Sequence, residues 1–403
     1  MNMPWKLARQ TARRAAKPLD AVELPLPDSL GLALASAVRA LASQPTCDTS
    51  AMDGYAVCGA GPWAVVGRVA AGEPVPQAVL PAGEAFGVAT GAPVPPGTAS
   101  VIPVELCVLD GNSLHHAVAA PRASGQAPAA RHSPPRPSSP PLPPGKHIRR
   151  RGEDWSAGDE LVPAGSPITP ALLGLASAAG HDTVLAHRRP RVAVIVTGDE
   201  LLHSGPPTPG RVRDAIGPML PGLLSRADLL GTTYLRDDPA ALADALTADS
   251  ADVLITCGAT SQGPADHLRG VLQDLGAEVL VSGVACRPGH PMLLAALADG
   301  RCVVGLPGNP FAAYAAVLTL LHPLLDALGG HASAPAITAH LNDVSAHPSD
   351  TRLVPVTRNG STAHPVGHDR PGSLWGAAMA DALAVVPPGH EGGEVELISA
   401  NAS

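Results

Sequence analysis

RVAVIVTGDELL, residues 191–202, is the stretch whose reading decides the fold. Its run Val192 to Val196 is short, largely β-branched and unbroken by polar residues, bounded by Pro190-Arg191 before it and Thr197-Gly198 after it. A strand with no polar alternation is buried on both faces, as in a parallel sheet covered by helices. The run ends in a hydroxyl, a flexible residue and two carboxylates: Thr197, Gly198, Asp199 and Glu200. In open α/β sheets ligands bind beyond the carboxyl ends of the strands. Alone, the turn reads equally as a polar strand end and as part of a site.

Downstream the pattern repeats. A helix is expected around Gly217–Leu230, then a strand near Thr232–Leu235 that ends in Arg236-Asp237-Asp238-Pro239. Next come a helix Ala240–Leu246 and an apolar strand Asp252–Thr256, which leads into Cys257-Gly258-Ala259-Thr260 and on to Gly263 and Asp266. A helix His267–Leu275, a strand near Glu278–Val281 and a last strand Cys302–Leu306 follow, the last passing through Pro307-Gly308-Asn309-Pro310 into a helix that ends at Leu328. Repeated βα units call for a parallel sheet with right-handed crossovers. Glu200, Asp237 and Asp266, from three strand ends, are then expected on one rim.

Upstream, Pro27-Asp28-Ser29 reads as a start signal for an Ala/Leu-rich helix over Leu30–Leu41. A polar loop then carries Asp53 beside Gly54, a turn carboxylate or a ligand. Residues 62–106 read as short strands, with Thr90-Gly91-Ala92-Pro93 in the tightest turn. Residues 110–146, which include PPRPSSPPLPPG (134–145), read as an unstructured, partly polyproline insert. His147 to Asp154 carries three arginines and two carboxylates, which suggest an internal ion network or an anion site, a plain solvated charge run being the default. Thr169-Pro170 opens a helix to Ala179. Residues 335–399 read as a compact β-barrel or sandwich after Gly329-Gly330.

Composition narrows the function classes. The 403 residues exceed one core, and the net charge of −8 gives no nucleic-acid footprint. The six cysteines are scattered without a CxxC pair, so neither a zinc site nor a disulfide framework is signalled and a reducing cytoplasm is expected. No unbroken apolar run reaches the roughly 18 residues of a membrane span. The basic N-terminal stretch lacks the apolar core of a signal peptide and reads as a solvated first helix, with a basic amphipathic targeting helix as the alternative.

Eight phrases carry a resemblance: SAMDGYAV (50–57), TGAP (90–93), RRGED (150–154), TGDEL (197–201), RDDP (236–239), GPAD (263–266), PG (288–289) and LPGNP (306–310). In this order they resemble the MoeA family, the molybdopterin molybdenumtransferases, to which the gephyrin E domain is related. The resemblance implies a multidomain α/β plus β fold. A linker domain takes 1–47 and 148–181, and an inserted β domain takes 48–147. A parallel α/β sandwich like that of the molybdopterin adenylyltransferases takes 182–328, and a C-terminal barrel-like β domain takes 329–403.

The resemblance also implies a homodimer with an intersubunit active site; cysteine usage, charge and hydropathy point to the cytoplasm and to no nucleic-acid or membrane partner. The implied reaction is molybdenum insertion: adenylylated molybdopterin and molybdate are substrates, and AMP leaves in a Mg²⁺-dependent step. Molybdopterin adenylyltransferase or apo-molybdoenzymes are the implied protein partners. Carried onto this chain, Asp53, Asp154, Glu200, Asp237 and Asp266 are catalytic, with Glu200, Asp237 and Asp266 nearest the metal. Thr90, Thr197, Gly198, Gly258, Thr260, Gly263, Arg287, His290, Pro307, Gly308, Asn309, Pro310, Arg352 and Ser373 bind substrate.

Four positions depart from the family pattern. Ile216 stands where the family has Asn, Cys257 where it has Gly, and Gly283 and His290 where it has Lys; Arg287 is a further, charge-keeping change from Lys. These departures support a second reading, a non-catalytic paralogue that binds molybdopterin or a partner protein. A third, an adenylyltransferase, is disfavoured by the additional β modules.

Overall fold

The computed structural model describes residues 2–117, 142–248, 250–258 and 267–399. The chain divides into two units. One takes Met1–Ser36, Pro163–Leu173 and Thr183–Ser403; the other takes Ala37–Val162 and Gly174–Asp182.

The first unit contains the expected α/β sheet. Its six strands run in the order Asp228–Leu235, Arg191–Thr197, Val253–Cys257, Cys302–Leu306, Leu293–Ala296, Glu278–Ser282. The residues of Arg191–Thr197 are buried from Val192 onward. Val192, Val194 and Val196 pack on one side with Phe311, Leu318 and Leu325. Ala193 and Ile195 pack on the other with Leu242, Leu246, Leu268 and Leu272. Alternate side chains of a strand point to opposite faces, so helices cover both sides of the sheet.

The first four strands pair parallel, and Leu293–Ala296 alone runs against the rest, pairing antiparallel with both Cys302–Leu306 and Glu278–Ser282. The expected parallel sheet thus carries one reversed strand near its edge. Leu293–Ala296 returns into Cys302–Leu306 through a tight turn, where the Leu297 N–H donates to the Arg301 carbonyl at 2.8 Å. So short a connection permits only antiparallel pairing, because a parallel crossover needs a dozen or more residues. LLAA has no β-branched residue, and its strand went unread.

Two expected helices differ. The helix over Gly217–Leu230 shrinks to Leu220–Leu223, and the following strand starts at Asp228. Gly217, Pro218, Pro221 and Gly222 leave no uninterrupted run of helix formers. Leu30–Leu41 is extended instead of helical. Ala33 bridges Pro167, Leu34 bridges Ala186, and Val38–Arg39 pairs with Glu160–Val162. Leu32, Leu34, Val38 and Ala40 are buried, and these long-range partners outweigh local helix propensity.

Helix Trp5–Arg14 packs on the long helix Pro310–Leu328, which has a π-turn at Val317–Leu321. The Trp5 Nε1–H donates to Thr319 Oγ1 at 3.1 Å, and Arg9 donates to the Leu318 carbonyl at 2.5 Å. Pro310–Leu328 has 19 residues and is apolar enough to cross a membrane, yet most of it is buried inside the protein. Counting unbroken apolar runs missed it because Thr319, His322 and Asp326 interrupt the run.

The C-terminal module closes on itself. Ile337–Leu341, Thr362–Pro365, Thr351–Asn359, Ala382–Val386 and Gly393–Ser399 pair in sequence around a ring, and the last strand returns to the first. Leu341, Val356, Ala384 and Val386 are in its core. Closure leaves no edge strand exposed.

At the amino end of the α/β sheet, Arg188 grips Asp252 with two bonds of 2.7 and 2.8 Å, and the Arg191 N–H donates to the same carboxylate at 2.7 Å. Burial acts to raise the Asp252 pKa, but the Arg188 and Arg191 hydrogen bonds hold it below the usual carboxylate range. A depressed folded-state pKa contributes stability above the unfolded value of about 3.9 and loses it as pH falls through the folded value. Asp252→Asn is therefore expected to destabilise the protein by about 1–3 kcal/mol at neutral pH. In urea melts across pH, that difference should shrink below about pH 4; a difference that persists at pH 2 overturns the assignment.

The second unit is built on a six-stranded sheet in the order Ser100–Pro103, Gly54–Val57, Glu84–Val88, Trp63–Val69, Ser113–His116, Cys107–Asp110. Ser113–His116 falls inside the stretch 110–146 expected to be unstructured, and Leu114 is fully buried against Trp63 and Ile102. Residues 118–141 of that expectation lie outside the described residues. Thr169-Pro170 does open a helix, Pro170–Ala178, with the Leu172 N–H donating to Thr169 Oγ1 at 3.2 Å.

Candidate active site

On the first unit, three strand ends come together. Thr197 Oγ1 donates to the Cys257 carbonyl at 3.3 Å, and the Gly258 N–H donates to the Leu306 carbonyl at 3.1 Å. Gly258 has φ +95°, and a Cβ there would stand 3.1 Å from the Thr197 carbonyl oxygen and 3.2 Å from its Oγ1, while a Cβ on Gly308 would lie 4.0 Å from the Gly258 Cα. Two glycine backbones thus lie side by side under the Thr197 hydroxyl. Bare backbone of this kind lets a phosphate approach N–H groups closely.

The carboxylates flank this floor. The Asp199 N–H donates to Asp237 Oδ2 at 3.3 Å, and Arg236 Nε donates to Asp199 at 3.1 Å, tying two neighbouring strand ends. Glu200 folds back over Gly198, with its Oε2 2.9 Å from where a Gly198 Cβ would stand. Asp237 and Glu200 therefore sit on the turns following adjacent strands, as expected. Asp266, Thr260 and Gly263 lie outside the described residues.

Beside the last strand end, Asn309 and Pro310 start the long helix. The Phe311 N–H donates to the Pro371 carbonyl at 2.9 Å, and a Cβ on Gly372 would lie 3.6 Å from Asn309 Oδ1. This places the Ser373 turn of the barrel module against the Pro307–Pro310 loop. Arg287 and Arg352 are register partners on parallel strands. Arg287 Nε donates to Asp350 at 2.8 Å, and Arg352 donates to Asp369 at 2.6 Å. Burial acts to raise the Asp350 pKa, while the Arg287 and Ser349 hydrogen bonds hold it low. Both arginines are thus oriented by carboxylates that sequence reasoning missed; Asp350 and Asp369 carry no local signal, since only barrel register brings them to these partners. His290 contacts the Asn2 side chain.

The four departures have separate structural readings. Ile216 and Cys257 are buried in the core, 6% and 2% exposed, and do not project from the rim. Burial pushes the Cys257 thiol pKa up, so it is a packing group. Asp214 caps the turn before Ile216, its Oδ1 accepting the Ile216 and Gly217 N–H groups at 2.9 and 3.0 Å. Gly283 has φ +94°, which disfavours any side chain there, and His290 keeps a titratable group at its position.

On the second unit, Asp53 Oδ1 accepts both the Thr90 N–H at 2.7 Å and the Thr90 hydroxyl at 3.1 Å. Asp53 lines a cavity of about 730 Å³ with Tyr55, Val66, Arg68, Gly87 and Val104. Asp154 is not part of that lining; it pairs with Arg149 at 2.6 Å, while Arg150 pairs with Asp48 at 2.5 Å. The run therefore forms surface ion pairs with half-exposed side chains, closer to the default solvated charge run than to an internal network.

These features match known proteins along nearly the whole chain. Residues 3–180 match the MoeA N-terminal region (domain I and II), 193–327 the probable molybdopterin binding domain, and 340–399 the MoeA C-terminal region (domain IV). The chain is 33% identical over 342 residues to a molybdopterin molybdenumtransferase of Synechococcus elongatus, covering 80% of this chain and 79% of that one. This chain belongs to the MoeA family. It is also 36% identical over 337 residues to molybdopterin molybdenumtransferase 2 of Mycobacterium tuberculosis, covering 77% and 75% of the two chains. Among solved structures it resembles the molybdopterin biosynthesis MoeA protein of Pyrococcus horikoshii, at 26% identity and TM-score 0.77 over the full length of both chains. The glycine floor and acidic turns fall in the segment matched to the probable molybdopterin binding domain.

Proposed function

We propose that this MoeA-family chain is a molybdenum insertase. Adenylylated molybdopterin and molybdate enter the site, water cleaves the phosphoanhydride, AMP leaves, and molybdenum remains on the dithiolene. The observation that carries the reading is the Gly258–Gly308 floor with Asp237 and Glu200 on the adjoining turns.

In this reading phosphate rests against the bare Gly258 and Gly308 backbone, whose lack of side chains leaves the room, with the Gly258 N–H itself engaged by Leu306, and Thr197 and Gly198 close one wall. Pro307, Asn309 and Pro310 shape the loop at the pterin end, with Ser373, Arg287, His290 and Arg352 beside it. Among the described residues no group of three His, Cys, Asp or Glu side chains is close enough to hold a metal ion. Mg²⁺ commonly takes one or two carboxylates together with substrate phosphates, and Asp237 and Glu200 fit that use, with Asp266 as a third candidate. When bound, Mg²⁺ neutralises charge on the anhydride oxygens.

The same reading assigns Asp53, Thr90 and Asp154 to a site completed across a homodimer, keeps the four-domain layout, and places the protein in the cytoplasm beside adenylyltransferase and apo-molybdoenzyme partners. The test is to incubate purified protein with adenylylated molybdopterin, Mg²⁺ and molybdate. Molybdate-dependent AMP release is expected. Tight binding with no release overturns the insertase reading in favour of a non-catalytic paralogue.

A further inference from the structure

The chain has nine aromatic residues, four Trp, three Tyr and two Phe. Of these, only Tyr234 and Trp375 are exposed, at 46% and 63%. Tyr234 is partly covered by the His203 ring, whose centroid is 4.3 Å away. Trp375 is the larger uncovered surface, on a one-turn helix, Trp375–Met379, of the barrel module.

Its base is stiff. The Trp375 N–H donates to Ser373 Oγ at 3.3 Å, and the indole meets His368 edge-on at 5.5 Å and 76°. Gly376 packs against the 367–368 backbone with no room for a Cβ: one there would stand 2.5 Å from the His368 carbonyl. The same segment is docked on the start of the long helix through Pro371, which accepts the Phe311 N–H. Trp375 is four residues on from that contact, at most about 14 Å along the chain. A rigid, uncovered indole thus stands within reach of the Asn309–Pro310 loop.

We propose that Trp375 is the stacking platform for the pterin ring of the substrate, a positioning residue rather than a catalytic one. The inference rests on the insertase reading, which brings a reduced pterin to this loop, and the pyrimidine ring of that pterin remains conjugated and flat. Such rings stack on aromatic side chains through offset face contact. Met379, one turn further on, is also exposed.

The test uses the full chain and adenylylated molybdopterin as the probe. Trp375→Ala is expected to raise the Kd without molybdate, and the KM with it, by about tenfold or more, with kcat within about twofold. Trp375→Phe should restore most of the affinity while abolishing ligand-induced quenching of tryptophan fluorescence. Met379→Ala should bind as wild type. Thermal melts check that the variants fold; if Trp375→Ala does not, the Phe variant's retained affinity and lost quenching decide alone. Unchanged Kd in Trp375→Ala beside a wild type that binds overturns the stacking role and leaves the insertase reading standing. A wild type that does not bind the probe overturns both. A Trp375→Ala variant whose sedimentation changes along with its Kd overturns the stacking role, assigning the surface to contact between copies.

Discussion

Asp237→Asn is expected to slow AMP release by about 10²–10³-fold, the usual loss when one charge-stabilising group is removed from a reacting centre. The substitution keeps the shape and an oxygen acceptor for the Asp199 N–H, so only the negative charge is deleted. The residue stands on a turn beyond the sheet, outside both hydrophobic cores, and the melting temperature should stay within about 2 °C of wild type. Single-turnover AMP release beside a thermal melt reads both quantities. Normal turnover in this variant means that the metal-side carboxylates have been misassigned. Loss of rate together with a large fall in melting temperature means that Asp237 is structural.

Gly54→Ala should have the largest effect on stability of any one-carbon change in the β unit. A Cβ at Gly54 would lie 2.0 Å from the Ile102 carbonyl oxygen and 2.9 Å from its carbon. Those atoms are backbone in the paired strand Ser100–Pro103, and no rotamer change relieves the clash. The strands must part, at a cost of about 3 kcal/mol or more. Asp53 is the preceding residue, so its two bonds to Thr90 should loosen as well. Gly87→Ala in the neighbouring strand is the control: its nearest contact would be 3.5 Å, and it should change stability by less than about 1 kcal/mol. Equal urea midpoints for the two variants would sink this account.

Much of the site was legible because its residues punctuate strands. An apolar run that stops at Gly and carboxylates declares both the strand and the polar turn, as it does at the candidate residues Thr197, Glu200, Asp237 and Gly258. Asp53 and Thr90 were read separately in two turns of the β module, and the structure joins them directly. Asp154 was read as part of a charge run and is engaged by Arg149. The arginine anchors Asp350 and Asp369 were invisible, because each lies far in sequence from what it orients or in a loop without periodicity. Trp375 carried no signal either: a tryptophan in an Ala-rich segment reads as core until burial is known.

What this sequence determined by itself is local and periodic: the alternation of buried strands and helices from 191 to 328, the strand ends that carry hydroxyl, glycine and carboxylate, and the barrel strands after Gly329-Gly330. Neighbouring residues encode these features through hydrophobic period and turn chemistry. Tertiary structure alone decided that Leu30–Leu41 is extended, that Leu293–Ala296 runs antiparallel, that Ile216 and Cys257 turn into the core, and that Arg287 lies beside Arg352. Each of these depends on which distant segment supplies the hydrogen-bond partner or the covering side chain, and that choice is made when the whole core packs.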